Sequence, residues 1–189
     1  MSRKFLFLLA STRRDGNTEH LARQAARGLP EDTQVQWLSF LDHPLPPFED
    51  IRHNGDGVYP APEGDARLLF DATVDATDIV IASPLYWYTV STSTKLYLDH
   101  WSGWLRVPGA DFRARMAGKT LWSVTAHSSN ISNADGLVTT MRLSADYMDM
   151  AWGGALLGYG NRPGDVLTDT AALADASEIF VPAKAAGRA

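Results

Sequence analysis

"LLASTRRDGNTEHLA", residues 8–22, passes from an apolar run to the start of a helix through two arginines, a glycine and a set of hydroxyl and amide side chains. Three readings of this junction are open: a plain turn, the end of an export signal, or a loop that holds an anion. Its surroundings decide the fold. Residues 4–10 (KFLFLLA), 77–83 (TDIVIAS), 120–126 (TLWSVTA) and 154–159 (GALLGY) are short, nearly unbroken apolar runs. Such runs suit strands buried on both faces of a parallel sheet. Residues 34–40 (QVQWLSF) are different. Val35 and Trp37 fall on one face, Leu38 and Phe40 on the other, and Gln36 and Ser39 interrupt, the pattern of an edge strand.

Helical segments lie between the runs. In residues 18–29 a stripe of Leu21, Ala22, Ala25, Ala26 and Leu29 opposes Arg23, Gln24 and Arg27, and Gly28 and Pro30 mark the end. Further helices are expected over 64–75, 93–104, 135–150 and 168–181. Strands alternating with helices predict an open α/β sheet in a single domain spanning residues 1–189, with its core at about 4–181 and a short Ala-rich tail. Residues 41–63 hold five prolines and no periodicity. A loop of this length in a compact domain is either a surface excursion or a rim over a site.

The chain has 189 residues, 45% hydrophobic and 21% charged, a globular composition. Its net charge of −5 argues against a nucleic-acid or anionic-membrane surface. The absence of cysteine excludes disulfides, thiolate metal sites and a cysteine nucleophile, and fits a cytoplasmic protein. MSRKFLFLLAS imitates an export signal, but the run Phe5–Ala10 is short for one and Arg13 and Arg14 follow at once. No segment approaches the ~20 apolar residues of a membrane span.

In an open α/β sheet the ligand sits at the carboxyl ends of the strands, where the order reverses. The loop Ser11–Thr18 stands there. It lacks GxGxxG and it lacks GxxxxGK[ST]. It offers donors instead: hydroxyls from Ser11, Thr12 and Thr18, the Asn17 amide, and the Arg13 and Arg14 guanidinium groups. Gly16 is free to take a positive φ, and Asn17 or Thr18 is placed to cap the following helix. Such a loop suits a phosphate monoester; an ordinary capped turn with arginines in solvent is the alternative.

Strand three runs into Pro84, Leu85, Tyr86, Trp87 and Tyr88. In the order 2-1-3-4-5 this loop lies beside the first. An aromatic shelf next to an anion loop suits a flat heterocycle with a phosphate tail, unless Tyr86 and Trp87 pack on neighbouring helices. Strand four is followed by His127, Ser128, Ser129 and Asn130, which are placed to bond the heterocycle's rim. The histidines show no metal-ligand spacing, and Asp99, His100 and Ser102 make no triad signal.

These two stretches resemble a known family. "ASTRRDGNTEHLA" is similar to the phosphate loop of flavodoxin-like NAD(P)H-dependent FMN oxidoreductases and quinone reductases. "IVIASPLYWYTVSTSTKLYLDHW" resembles their second signature. The resemblance implies a flavodoxin-like open five-stranded parallel sheet, order 2-1-3-4-5, with helices on both faces. It implies that Ser11, Arg13, Asn17 and Thr18 bind the FMN phosphate, that Gly16 shapes the loop, and that Pro84, Leu85, Tyr86 and Trp87 frame the isoalloxazine. His127 joins the cofactor set, and Lys95 and Asp99 take structural positions. No side chain need act as a catalytic nucleophile. Ala10 departs from the glycine common in relatives, and HSSN departs from their Gly-rich turn.

The function expected is FMN-dependent electron transfer from NAD(P)H to a quinone or similar acceptor, with an electron carrier and a flavin-binding module as the alternatives. The segment 41–63 is expected to roof the flavin slot. Trp101 and Trp104 in LDHWSGWLR either pack within this chain's core or form an apolar patch, which together with the dimers common in the family the chain resembles implies a homodimer.

Overall fold

The apolar runs form the five strands expected, and the computed structural model describes residues 2–180. The elements in chain order are β1 (Lys4–Leu9), α1 (Asn17–Ala26), β2 (Gln34–Ser39), α2 (Gly64–Asp75), β3 (Asp78–Ala82), α3 (Thr92–Trp104), α4 (Phe112–Met116), β4 (Thr120–His127), α5 (Asp135–Tyr147), β5 (Ala151–Tyr159) and α6 (Thr170–Glu178). All neighbouring strands pair in parallel in the order β2-β1-β3-β4-β5, the flavodoxin-like arrangement. Alternate residues feed two cores. Leu6, Leu8, Ile79, Ile81 and Leu121 pack with Leu69, Tyr97, Trp101 and Met141 on one side. Phe5, Phe7, Val80, Val124 and Leu156 pack with Leu21, Ala25, Val166 and Ala172 on the other. That two-sided burial is why the central strands read as continuous apolar runs.

β2 is the edge strand its broken pattern implied. Trp37 stacks on Phe7 at 4.2 Å on the α1 side, while Leu38 and Phe40 enter the opposite core. Several boundaries differ from the sequence reading. β5 begins at Ala151 rather than 154, with a register irregularity opposite Leu121 and Trp122. The Trp122 ring lies on the strand there, and a Cβ at Gly153 would fall 2.4 Å from it. The glycines that obscured the strand in sequence are the ones that admit the indole. α5 stops at Tyr147, before the left-handed Asp149 (φ 56°). The short α4 was not foreseen, because five residues carry no readable period. The Ala-rich tail lies outside the described residues.

Trp101 and Trp104 correct the expectation built on them. They are 4% and 3% exposed and pack edge-on against Tyr97 and Phe112 within this chain. They form no apolar patch, so the homodimer loses the surface on which it rested. Among the described residues no helix is long and apolar enough to cross a membrane.

Asp169 joins β5 to α6 at the end of the sheet that carries the site. One carboxylate oxygen accepts from Tyr159 N at 2.7 Å and the other caps α6 by accepting from Ala172 N at 3.1 Å. These N–H groups hold the carboxyl below the usual carboxylate range. Its folded pKa is thus lower than its unfolded one, so its contribution is present above about pH 4 and is lost as pH falls through the folded value. In urea titrations Asp169→Ala is expected to cost about 0.5–2 kcal/mol at neutral pH, the size of a lost cap. The gap from the parent should close in acid; a gap that does not change with pH would contradict the ionised cap.

Candidate active site

The loops after β1, β3 and β4 converge at the carboxyl end of the sheet around a cleft of about 470 Å³. Ser11, Arg13, Gly16, Asn17 and Thr18 line it from the first loop, Pro84, Leu85, Tyr86 and Trp87 from the second, and His127 from the last position of β4. Tyr88, Ala126, Ser128, Ser129, Asn133, Gly160 and Asn161 complete the lining. Asn130 does not reach the cleft. Its side chain turns back to accept from Ser132 N at 3.0 Å.

The first loop achieves its shape differently from the sequence reading. Gly16 has φ −80° and ψ 163°, and the left-handed residue is Asp15 at φ 53°. Gly16 is the N-cap of α1, so Asn17 and Thr18 are its first helical residues and cap nothing, and no side chain bonds the first-turn N–H groups. A Ser or Asp cap would cover those donors. Glycine leaves them to a ligand, at the positive end of the helix dipole. A Cβ at Gly16 would lie 3.5 Å from both Ser11 Oγ and Arg13 Nε, inside the small space those groups border.

The two arginines have separate fates. Arg14 turns away and pairs with Asp42 just beyond β2. Arg13 makes no ion pair among the described residues and lines the cleft. Asn17 also departs from its expected role. Its Nδ2 donates to Arg162 O at 2.9 Å, and its Oδ1 accepts from Gly164 N at 2.9 Å. The side chain is 5% exposed and is spent on fixing the turn after β5. A Cβ at Gly160 would sit 2.8 Å from Asn17 Nδ2, so that glycine keeps the two loops in contact. Asn17 is therefore a positioning residue first, with its backbone N–H and the second Nδ2 hydrogen as its remaining donors. Ala10, the departure noted in the sequence, is fully buried in the core.

The second loop is a tight hairpin. Tyr86 and Thr89 exchange two backbone hydrogen bonds of 3.1 Å, leaving Trp87 (φ 48°) and Tyr88 (φ 66°) as a two-residue turn. Left-handed geometry costs a non-glycine residue about 1–2 kcal/mol, so this tip is strained. The strain presents aromatic rings beside the cleft: Trp87 is 92% exposed and Tyr88 61%. The alternative, burial of Tyr86 and Trp87 against helices, is therefore not what the chain does. The first turn of α5 supports the tip, since a Cβ at Gly136 would meet Tyr88 O at 2.4 Å. Below it, Ser83 Oγ accepts from Ser91 N at 2.9 Å and Ser91 caps α3. Lys95 and Asp99 pair with each other on the exposed surface of α3, away from the cleft.

His127 is 8% exposed, and its Nδ1 lies 2.8 Å from Ser129 O. A carbonyl only accepts, so Nδ1 carries the proton and Nε2 is left for a ligand. The ring meets Tyr159 edge-on at 5.9 Å. Segment 41–63, expected to roof the slot, contributes no residue to this cleft and walls a separate cavity against α2 and α3.

Open helix-start donors, the Ser11 and Thr18 hydroxyls and an unpaired Arg13 form an anion cradle at one end. An aromatic hairpin and neutral hydrogen-bonding groups occupy the other. This donor set fits FMN, a flat ring system with a phosphate tail. Comparisons with known proteins agree. Residues 3–155 match the model of the family described as NADPH-dependent FMN reductase. The chain is 31% identical over 180 residues to YwqN of Bacillus subtilis (strain 168), whose name assigns it to NAD(P)H-dependent FMN-containing oxidoreductases, covering 94% of this chain and 96% of that one. Among solved structures, a Trp repressor binding protein from Bacillus subtilis matches with TM-score 0.72 and 25% identity over 95% of this chain and 99% of that one. An NAD(P)H:quinone oxidoreductase from Methanothermobacter marburgensis shares the fold, with TM-score 0.65 and 15% identity over 94% of each chain. With the loops in place and the family model spanning most of its length, the chain belongs to the NADPH-dependent FMN reductase family.

Proposed function

We propose that the cleft holds FMN with its phosphate at the start of α1 and its ring along residues 84–88, and that a quinone or similar flat, neutral molecule is the electron acceptor. Family membership brings FMN as the cofactor and NAD(P)H as the donor. The chemistry itself, two-electron uptake from a reduced nicotinamide and delivery to an acceptor, is supplied by the bound FMN. The chain's residues bind, orient and screen. Ser11, Thr18, Arg13 and the open N–H groups of α1 neutralise the phosphate. Asn17 fixes the turn that carries Gly160 and Asn161. His127 offers Nε2 to the polar rim of the ring. Trp87 and Tyr88 supply an apolar edge against which a nicotinamide or an acceptor ring stacks.

The observation that carries this reading is the division of one cleft into a charged end and an aromatic end. Arg13 is the one permanently charged side chain lining it among the described residues. The aromatic end therefore favours a neutral ring over a charged acceptor. Because donor and acceptor both need that end, they should occupy it in turn. Steady-state rates measured against NADPH and benzoquinone are expected to give parallel double-reciprocal lines, with excess quinone competing against NADPH. Intersecting lines would mean that both substrates bind together and would remove the shared slot.

A further inference from the structure

Segment 41–63 forms no regular element, yet it is fixed at many points. His43 Nδ1 pairs with Asp65 at 2.9 Å, and His100 Nε2 donates to Pro46 O at 2.9 Å. The Tyr59 hydroxyl accepts from Ile51 N at 2.9 Å and donates to Glu49 O at 3.2 Å. The Tyr59 ring sits in a notch over α3, where a Cβ at Gly103 would lie 2.9 Å from its Cδ1. Phe48 lies parallel to it, with ring centroids 6.0 Å apart. The excursion buries Tyr59 and half-buries Phe48 rather than merely crossing the surface. It builds a cavity.

That cavity measures about 610 Å³, against about 470 Å³ for the redox cleft, and the two share no lining residue. Its size is in the range of small-molecule sites, roughly 300–1,000 Å³. Phe48, Ile51, Tyr59 and Trp104 give it an apolar, aromatic interior. Its charged lining is acidic: Glu49, Glu63 and Asp65 line it, and no lysine or arginine does. Asp65 is matched by His43, but Glu49 and Glu63 form no ion pair among the described residues. The nearby cations are engaged elsewhere, Arg52 with Asp50 and Arg106 with Ser102 O.

We infer that this cavity is a second ligand site and that it takes an amphiphilic organic cation, a protonated amine on an apolar body. The body displaces water from the aromatic walls, and the ammonium meets carboxylates that lack a partner and rings whose faces attract cations. An anion of the same shape meets repulsion instead. Prolines on both flanks and the hydrogen-bonded ring anchors set the shape beforehand, which lowers the ordering cost of binding. The site is independent of the flavin reading.

The test is calorimetric titration of the full chain, FMN-loaded, with 4-phenylbutylamine and 4-phenylbutyrate, two probes of one skeleton and opposite charge. The amine is expected to saturate a single site, with the acid at least about tenfold weaker. Glu49→Gln with Glu63→Gln, both at exposed positions, should weaken the amine by about tenfold or more and bring the two probes level. Ala61→Trp at the exposed margin should block both. Flavin content and NADPH oxidation should stay unchanged throughout. Equal binding of amine and acid by the parent protein would overturn the proposal. So would amine binding that survives the double variant, or an affinity that falls as protein concentration rises, the sign of a second copy covering the cavity.

Discussion

Asp78→Ala is expected to remove about 3–5 kcal/mol of folding stability while leaving FMN affinity unchanged. Asp78 opens β3 and is 2% exposed. Its carboxylate accepts from Arg3 Nε at 3.0 Å, from Trp122 Nε1 at 3.0 Å and from Thr77 Oγ1 at 2.8 Å, and it forms an ion pair with the same guanidinium. Arg3 in turn donates to Phe180 O at 2.8 Å and lies 4.5 Å over the Phe5 ring. The Asp78–Arg3 pair thus ties the start of the chain, β3, β4 and Phe180 just past α6 together. Alanine leaves the indole N–H buried without a partner, and an unpaired buried donor costs about 1–3 kcal/mol by itself. Arg3 is 31% exposed and regains some water, which places the loss toward the lower end of the range. Asp78→Asn keeps an acceptor for the indole and should lose less. The network lies at the amino end of β3, opposite the cleft. Urea unfolding measures the loss, and an alanine variant within about 1 kcal/mol of the parent would mean that buried polar satisfaction does not hold this end of the sheet.

The largest functional effect is expected at Arg13. If Arg13 holds the phosphate as proposed, Arg13→Ala loses a charged hydrogen bond worth about 1.5–3 kcal/mol and should weaken FMN by roughly ten- to hundredfold. Riboflavin lacks the phosphate and should bind both proteins alike. Arg14→Ala is the built-in control. Arg14 is occupied by Asp42 on the surface, so its loss should barely alter FMN affinity. Titration of apoprotein with both flavins separates the cases. Equal losses for FMN and riboflavin, or equal effects of the two arginines, would contradict the assignment of the anion end.

That pair of arginines also marks the limit of what the sequence carries. The strands were legible because burial on both faces leaves a direct mark in composition, and the residues that line the cleft were legible because the loops follow strand ends. Which of Arg13 and Arg14 faces the cleft depends on Asp42, a residue brought near by the pairing of β1 with β2. Asn17 looked like a ligand because amides bind phosphates; its true partners, Arg162 O and Gly164 N, are more than 140 positions away. Gly16 was read for its freedom at positive φ, whereas its role comes from having no side chain over the helix start. Gly160 and Asn161 were missed because the loop after β5 was not weighed as part of the site, although the strand end at Tyr159 was read correctly and the NRPGD turn that follows carried a signal. The prolines of 41–63 announced an excursion, but its direction over α3 depends on the notch at Gly103. Trp101 and Trp104 looked too large for one core, and the aromatic cluster with Tyr97 and Phe112 absorbs both.

FMN held in this cleft should be reduced by NAD(P)H and reoxidised by an acceptor. Anaerobic titration of the FMN-loaded protein with NADPH and with NADH, followed by visible absorbance, measures both steps. The expected result is stoichiometric bleaching by at least one of the two nicotinamides and recovery of the colour when benzoquinone is added. A spectrum that neither nicotinamide bleaches would contradict it.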